Sequence, residues 1–183
     1  MICPPHLSQE LFRRAAGIKA IALDVDGVFT DGHIIYNVEG QETKMYNAHD
    51  GHGIRMAGWA GIEMAIISAR ESNAIRVRAT ELGIPHLYLG RFDKYNAFTT
   101  LCQTLQLPEE AFCFVGDDLP DIAVFERVGL PVAVQNATLR VKDATPFHTR
   151  RNGGEGAIRE VVEFVLHAQG RLESEFERHH PKH

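Results

Sequence analysis

Cysteine, positive charge and long apolar runs are all scarce in this chain. The three cysteines, Cys3, Cys102 and Cys113, are odd in number and show no CxxC spacing. A disulfide framework is therefore not expected, and free thiols in a reducing cytoplasm fit better. No uncharged run is long and apolar enough to span a bilayer, because Glu63 splits the best candidate, residues 56–67. Residues 1–9 lack the basic and apolar stretches of a secretion leader, so no signal peptide is expected. Lys and Arg number 19 against 24 Asp and Glu, a net charge of −5. A binder driven by nucleic-acid phosphates normally carries the opposite surplus, which excludes that class. Repeats, low-complexity tracts and Pro/Ser-rich linkers are missing too. What remains is a globular mix of 183 residues, 44% hydrophobic and 23% charged. Such a chain forms one domain and buries roughly two-thirds of its unfolded surface without a metal or disulfide staple.

The patterning alternates between short apolar runs and helical stretches. Residues 18–25, 62–67, 86–89, 111–115 and 131–134 read as buried strands. Residues 8–16, 50–60, 71–82, 93–106, 119–128 and 157–169 read as helices, several of them stopped by glycine. Two short segments around a Val-Glu-Gly turn, residues 33–36 and 42–47, read as a β-hairpin inserted after the first strand. Gly153, Gly154 and Gly156 read as a flexible segment ahead of the last helix. Five strand-to-helix alternations predict an α/β fold, a doubly wound parallel sheet with helices on both faces. The expected organisation is a helical segment over residues 1–17, the α/β domain over 18–170 with its hairpin at about 32–47, and a tail over 171–183. The tail holds His179, His180 and His183, expected to be solvated rather than a metal site.

In open parallel sheets, ligands bind at the carboxyl ends of the strands. Asp24 and Asp26 follow the first strand, Ser68 and Arg70 the second, and Asp117 and Asp118 the fourth. Clustered carboxylates repel, by ~4 kcal/mol for two unit charges ~4 Å apart at an effective dielectric of ~20. A hard cation bound by oxygens, magnesium before zinc, relieves that repulsion. The alternative that these acids merely cap helices explains Asp121 more easily than Asp24, Asp26 and Asp117 together. An EF-hand fails on spacing, since Gly27 comes two positions early and Ile35 stands where the bidentate Glu belongs.

The ordered set Asp24-Val-Asp-Gly-Val, Ser68, Lys94 and Gly116-Asp-Asp-x-x-Asp resembles the four motifs of the haloacid-dehalogenase-like (HAD) phosphatases. Within that superfamily the likeness is closer to the phosphatases of 3-deoxy-D-manno-octulosonate 8-phosphate (KDO 8-phosphate), and it runs over residues 18–169. Residues 47–54 (NAHDGHGI), 90–94 and 149–160 (TRRNGGEGAIRE) carry it further. The resemblance implies a Rossmann-like HAD core and hydrolysis of a sugar phosphate in lipopolysaccharide biosynthesis. It implies Asp24 as nucleophile and Asp26 as general acid and base. Magnesium would be held by Asp24, the Asp26 backbone carbonyl and Asp117, with Asp118 and Asp121 supporting them from behind. Ser68 and Lys94 would bind phosphate, and Arg70 and Arg78 the substrate carboxylate.

A hairpin is too small a cap to close a site alone. The resemblance therefore implies a homotetramer in which a neighbouring subunit roofs the site and contributes Arg78 across the interface. The glycine segment and the tail are further candidates to reach the neighbour. Arg70 favours KDO 8-phosphate over sialic-type 9-phosphates, whose phosphatases tend to place a glutamate there. Ser68-Ala69-Arg70, His49 and Ala123 depart from the commoner Thr-Gly-Arg, arginine and proline, which bears on the substrate and not on the nucleophile. A non-catalytic assembly module is disfavoured because Asp26 is retained. A response-regulator receiver is disfavoured because it lacks the Asp-x-Asp-Gly pair.

Overall fold

A computed structural model describes residues 8–179. The chain opens with helix α1 (Ser8–Ala16) and enters strand β1 (Ala20–Leu23), all four residues of which are buried. A two-stranded antiparallel hairpin follows, β2 (Ile35–Tyr36) with β3 (Glu42–Thr43). Then come α2 (Ala48–Trp59), β4 (Glu63–Ile67), α3 (Asn73–Leu82), β5 (His86–Tyr88) and α4 (Lys94–Leu105). The last third holds β6 (Phe112–Gly116), α5 (Ile122–Phe125), β7 (Leu130–Ala133), α6 (Leu139–Asp143), α7 (Ala157–Ala168) and α8 (Leu172–His179).

Five strands form one parallel sheet in the order β5-β4-β1-β6-β7. Their Ile, Val, Phe and Ala residues suit strands buried on both faces. From β1 the chain first winds outward through β4 and β5, then returns to β6 and winds the other way. Right-handed crossovers in opposite directions place α2 and α3 on one face and α4 and α5 on the other. Helix α7 joins the first face, where it packs against α2 and α1. Its buried residues, Ala157, Ile158, Val161, Val162, Val165 and Leu166, recur at the i, i+4, i+8 spacing of one helix face.

β1 is thus the central strand, and the direction of winding reverses at its carboxyl end. Leu23 is in register with Ile66 of β4 and Val115 of β6. The residues that follow these three strands are brought side by side as a result.

Several details differ from the sequence reading. The expected helix over 119–128 is a 3-10 turn, Leu119–Asp121, leading into the four-residue α5. Asp118 and Asp121 cap each other's backbone there, which bends the chain before the helix begins. Helix α8 occupies most of the expected tail, and α6 is an element the patterning did not indicate. His179 closes α8 in the backbone, whereas Cys3, His180 and His183 lie outside the described residues. No helix among the described residues is long and apolar enough to cross a membrane.

Candidate active site

The floor of the site is the end of β1. The Asp24 amide donates to the Val115 carbonyl at 3.0 Å, the last tie to β6. The chain then curls tightly, with the amides of Val28, Phe29 and Thr30 all converging on the Val25 carbonyl. Gly27 makes this curl at φ +88°, and a Cβ on it would stand 2.1 Å from Asp117 Oδ2. Only glycine gives both the backbone angle and the room that lets Asp117 lie beside the turn.

Asp24 is 7% exposed. Its Oδ1 accepts the Val25 amide at 2.7 Å, and its Oδ2 pairs with Lys94 Nζ at 2.8 Å. Lys94 also reaches Asp121 Oδ1 at 2.6 Å. The lysine sits 3% exposed in the first turn of α4, where the helix dipole opposes a cation. Burial works against its ammonium, but Asp24 and Asp121 outweigh this and hold its pKa above the ordinary lysine value. Asp121 is fully buried, and its Oδ2 accepts the amides of Asp117 and Asp118 at 2.9 and 3.1 Å. It positions the whole acidic turn as well as the lysine. Asp118 stands exposed at the rim, its Oδ1 accepting the Leu119 amide.

Carboxylate oxygens of Asp24, Asp117 and Asp121 lie within 4.8 Å of one another. Burial raises the Asp117 pKa to about 8, with Asp24 and Asp121 adding to the effect. Burial likewise raises Asp24 to about 6, with Asp121 adding and Lys94 opposing. Asp117 Oδ1 is buried without a hydrogen-bond partner. An acceptor left unpaired among like charges is costly. A hard divalent cation would satisfy it, so the residues present fit magnesium. The Asp26 carboxyl is not in this cluster; it faces the hairpin instead.

A cleft of about 290 Å³ lies above, lined by Asp24, Asp26, Ser68, Arg70, Lys94, Asp117 and Asp118 together with Gly32, Ala69 and Pro120. Ser68 is 1% exposed and its Oγ accepts the Arg70 amide at 3.2 Å. Helix α3 has its N-cap at Ser72, so Ser68 belongs to the loop ahead of the helix and does not cap it. A larger cavity of about 670 Å³, lined by His49, Arg150, Arg151, Arg159, Glu160 and Glu163 among others, holds neither a buried lysine nor a carboxylate cluster like that of Asp24, Asp117 and Asp121. Chemistry rather than size therefore selects the smaller cleft.

The rim comes from the hairpin. Arg70 pairs with Glu42 at 2.9 Å and with the Tyr36 hydroxyl at 2.9 Å, and its Nε lies 3.6 Å from Asp26 Oδ2. Lys44 binds Asp26 Oδ1 at 2.5 Å and Glu42 at 3.3 Å, with its side chain only 1% exposed. Sequence reasoning did not find Lys44 or Glu42. Isolated charges in a hairpin have no diagnostic spacing, and the only signal was their place in the insertion next to the first motif.

Arg78 is not brought to this cleft. It lines a separate cavity of about 510 Å³ with Tyr46, Ala48, Ala74, Val77 and Glu81. There its guanidinium pairs with Glu81 at 2.8 Å and lies 5.7 Å over the Tyr46 ring. The expected flexible glycine segment is instead packed hard against the turn that follows β1. A Cβ on Gly153 would lie 1.7 Å from the Gly27 carbonyl oxygen, and one on Gly154 2.5 Å from the Asp31 amide. The Gly154 amide donates to Val28, and Gly153 to Asn136 Oδ1. Glycine here serves close backbone approach rather than freedom. Asp50, fully buried in α2, fastens the far end by accepting the amides of Gly156 and Arg159 at 3.0 and 2.9 Å.

Comparison with known proteins agrees with this geometry. The family described as haloacid dehalogenase-like hydrolase matches residues 64–161, more than half of the chain. The 3-deoxy-D-manno-octulosonate 8-phosphate phosphatase KdsC of Escherichia coli K12 is 42% identical over 171 residues, covering 93% of this chain and 91% of the relative. A probable YrbI-family phosphatase from Pseudomonas syringae superposes with a TM-score of 0.93 at 44% identity, covering 96% of this chain and 100% of that one. The KDO 8-phosphate phosphatase of Moraxella catarrhalis, solved with magnesium, phosphate and KDO, superposes with a TM-score of 0.92 at 37% identity over 94% and 99% of the two chains. With the end of the Asp24-bearing strand, the buried lysine and the acidic turn in one cleft, the chain belongs to the haloacid dehalogenase-like hydrolases.

Proposed function

We propose that the protein is a magnesium-dependent phosphatase that hydrolyses KDO 8-phosphate to KDO and phosphate in lipopolysaccharide biosynthesis. The observation that carries this reading is the Asp24 carboxylate, fixed between the Val25 amide and Lys94 beside the unpartnered Asp117 oxygen. The free thiols Cys102 and Cys113 suit a reducing cytoplasm.

A phosphate monoester dianion repels an anionic nucleophile, so the site must supply positive charge and in-line placement. Ser68 Oγ and Lys94 Nζ, both lining the cleft, hold the phosphate oxygens. An Asp24 oxygen forms a bond to phosphorus while the bond from phosphorus to the sugar oxygen breaks. The departing electron pair stays on that sugar oxygen, which takes a proton from the Asp26 carboxyl. Asp26, now ionised, takes a proton from water as that water attacks the phosphorus of the aspartyl-phosphate. Phosphate leaves and Asp24 is regenerated. Asp24, Asp117 and the main-chain carbonyl of Asp26 would hold magnesium, whose charge offsets the repulsion between nucleophile and substrate.

The substrate's carboxylate calls for a guanidinium. Arg70 stands at the cleft mouth. Arg78 lies outside its own chain's cleft, and we assign it to the cleft of a neighbouring copy in a homotetramer. Supporting this, the hairpin region exposes Ile34, Ile35, Tyr36, Val38 and Met45, apolar surface that an assembly would cover.

The test is phosphate release from KDO 8-phosphate, set beside a sialic-type sugar 9-phosphate, in magnesium and then in EDTA. Magnesium-dependent hydrolysis with a clearly higher kcat/KM for KDO 8-phosphate is expected. Preference for the 9-phosphate would move the substrate to the nine-carbon series, and activity on neither would move it to an unrelated phosphate ester or to a non-catalytic role.

A further inference from the structure

Asp26 has two carboxylate oxygens in different surroundings. Oδ1 is bound by Lys44 Nζ at 2.5 Å, whereas Arg70 Nε stands 3.6 Å from Oδ2, beyond hydrogen-bond length. Lys44 is not among the residues lining the cleft, and its side chain is 1% exposed. It approaches Asp26 from behind, out of the hairpin, and is itself steadied by Glu42 at 3.3 Å. Glu42 in turn holds Arg70, which also binds Tyr36 on the opposite hairpin strand. The hairpin thus fixes one edge of the Asp26 carboxyl and leaves the other edge facing the cleft.

We infer that Lys44 is the positioning residue for the general acid and base: it anchors Asp26 Oδ1 so that Oδ2 meets the leaving oxygen and later the attacking water. This deepens the proposed function and rests on its assignment of Asp26. Three consequences separate Lys44 from a substrate-binding lysine. It touches neither phosphate nor sugar. Its effect is confined to proton delivery. Its place in the insertion makes the hairpin a part of the chemistry, not merely a lid.

The experiment compares kcat/KM for two substrates, because this constant reports steps up to phosphoryl transfer to Asp24. KDO 8-phosphate has a poor alkoxide leaving group that needs an acid. p-Nitrophenyl phosphate leaves as a stable phenolate and needs little help. A positioned acid is worth ~10²–10⁴-fold. Lys44→Met in the full-length protein is expected to lower kcat/KM for KDO 8-phosphate about 10- to 100-fold, a share of that factor, and for p-nitrophenyl phosphate less than about 3-fold. The inhibition constant of inorganic phosphate stays unchanged, and Lys44→Arg, which keeps a charged donor, recovers part of the loss. Retained activity on the aryl ester also shows that the variant folds.

Asp26→Asn is the reference. If it shows the leaving-group dependence and Lys44→Met lowers both substrates equally, Lys44 is only structural and the inference falls while the proposed function stands. No effect of Lys44→Met on either substrate overturns it too. If Asp26→Asn itself shows no leaving-group dependence, the acid assignment fails and takes the Lys44 inference with it.

Discussion

The floor and the rim of the cleft are built by opposite means. On the floor, Asp24, Lys94, Asp117 and Asp121 come from three separate elements and are locked by sheet register, tight turns and mutual contacts. On the rim, Tyr36, Glu42 and Lys44 come from or directly follow two-residue strands that pair only with each other. The floor buries charge and tolerates the cost because opposite charges and amides surround it. The rim keeps Arg70 partly exposed, where it can exchange partners. The proposed nucleophile and metal ligands therefore rest on the sheet, whereas the proposed general acid Asp26 and the arginine at the cleft mouth are held by the hairpin.

Four measurements would break or sharpen this contrast. The largest effect is expected from Asp24→Asn, which removes the proposed nucleophile. Turnover should fall by about 10⁴-fold or more, as when other covalent nucleophiles are deleted, with the circular dichroism unchanged. Near-normal turnover would take the chemistry away from the floor.

Protonation of the floor comes next. In the metal-free protein Asp24 titrates at about 6 and Asp117 at about 8, against 3.8 ordinarily. Between about pH 4 and 8 the folded state therefore holds protons that the unfolded chain has released. The contribution to stability is full below pH 4, declines across that window and is lost above pH 8. Thermal melting in EDTA should show a Tm that falls from pH 5 to 8, with added magnesium reducing the fall. A metal-free Tm rising through the window would show that the carboxylates are not strained.

The rim should respond differently. Arg70→Ala should raise KM for KDO 8-phosphate about 10-fold, the scale of one charge-assisted hydrogen bond, and leave KM for p-nitrophenyl phosphate nearly unchanged in steady-state assays. An equal rise for both would make Arg70 a phosphate ligand and blur the division.

The smallest effect on turnover should come from Asp50→Ala, far from the reacting atoms. It leaves the amides of Gly156 and Arg159 unpaired and should cost about 2–6 kcal/mol of stability in urea unfolding, at ~1–3 kcal/mol for each orphaned group. A stable variant with low activity would instead mean that the glycine segment tunes the turn that follows Asp24.

The same contrast governs what could be read from the chain alone. The floor was legible because its residues sit at fixed offsets from strands, as in Asp24-Val-Asp-Gly and Gly116-Asp-Asp-x-x-Asp. Strand periodicity placed those offsets on one sheet edge. Lys44 and Glu42 were not legible, since their partner Asp26 is reached only through the fold of the hairpin. The glycines at 153 and 154 misled, because a missing Cβ permits freedom and close approach alike and only the opposing Gly27–Val28 backbone decides between them. The short helices α6 and α8 lacked the length that makes periodicity visible.

The central place of β1 has a consequence for the order of synthesis. A chain emerging from the ribosome has Asp24 early and can pair β1 with β4 and β4 with β5. The other edge of β1 stays open until Phe112–Gly116 arrives to pair with it. An open central edge invites pairing with other chains. The interval between the emergence of β5 and that of β6 is therefore the one in which the nascent protein most needs speed or a chaperone. The buried carboxylates of Asp117 and Asp121 come together with Asp24 only once that interval is over.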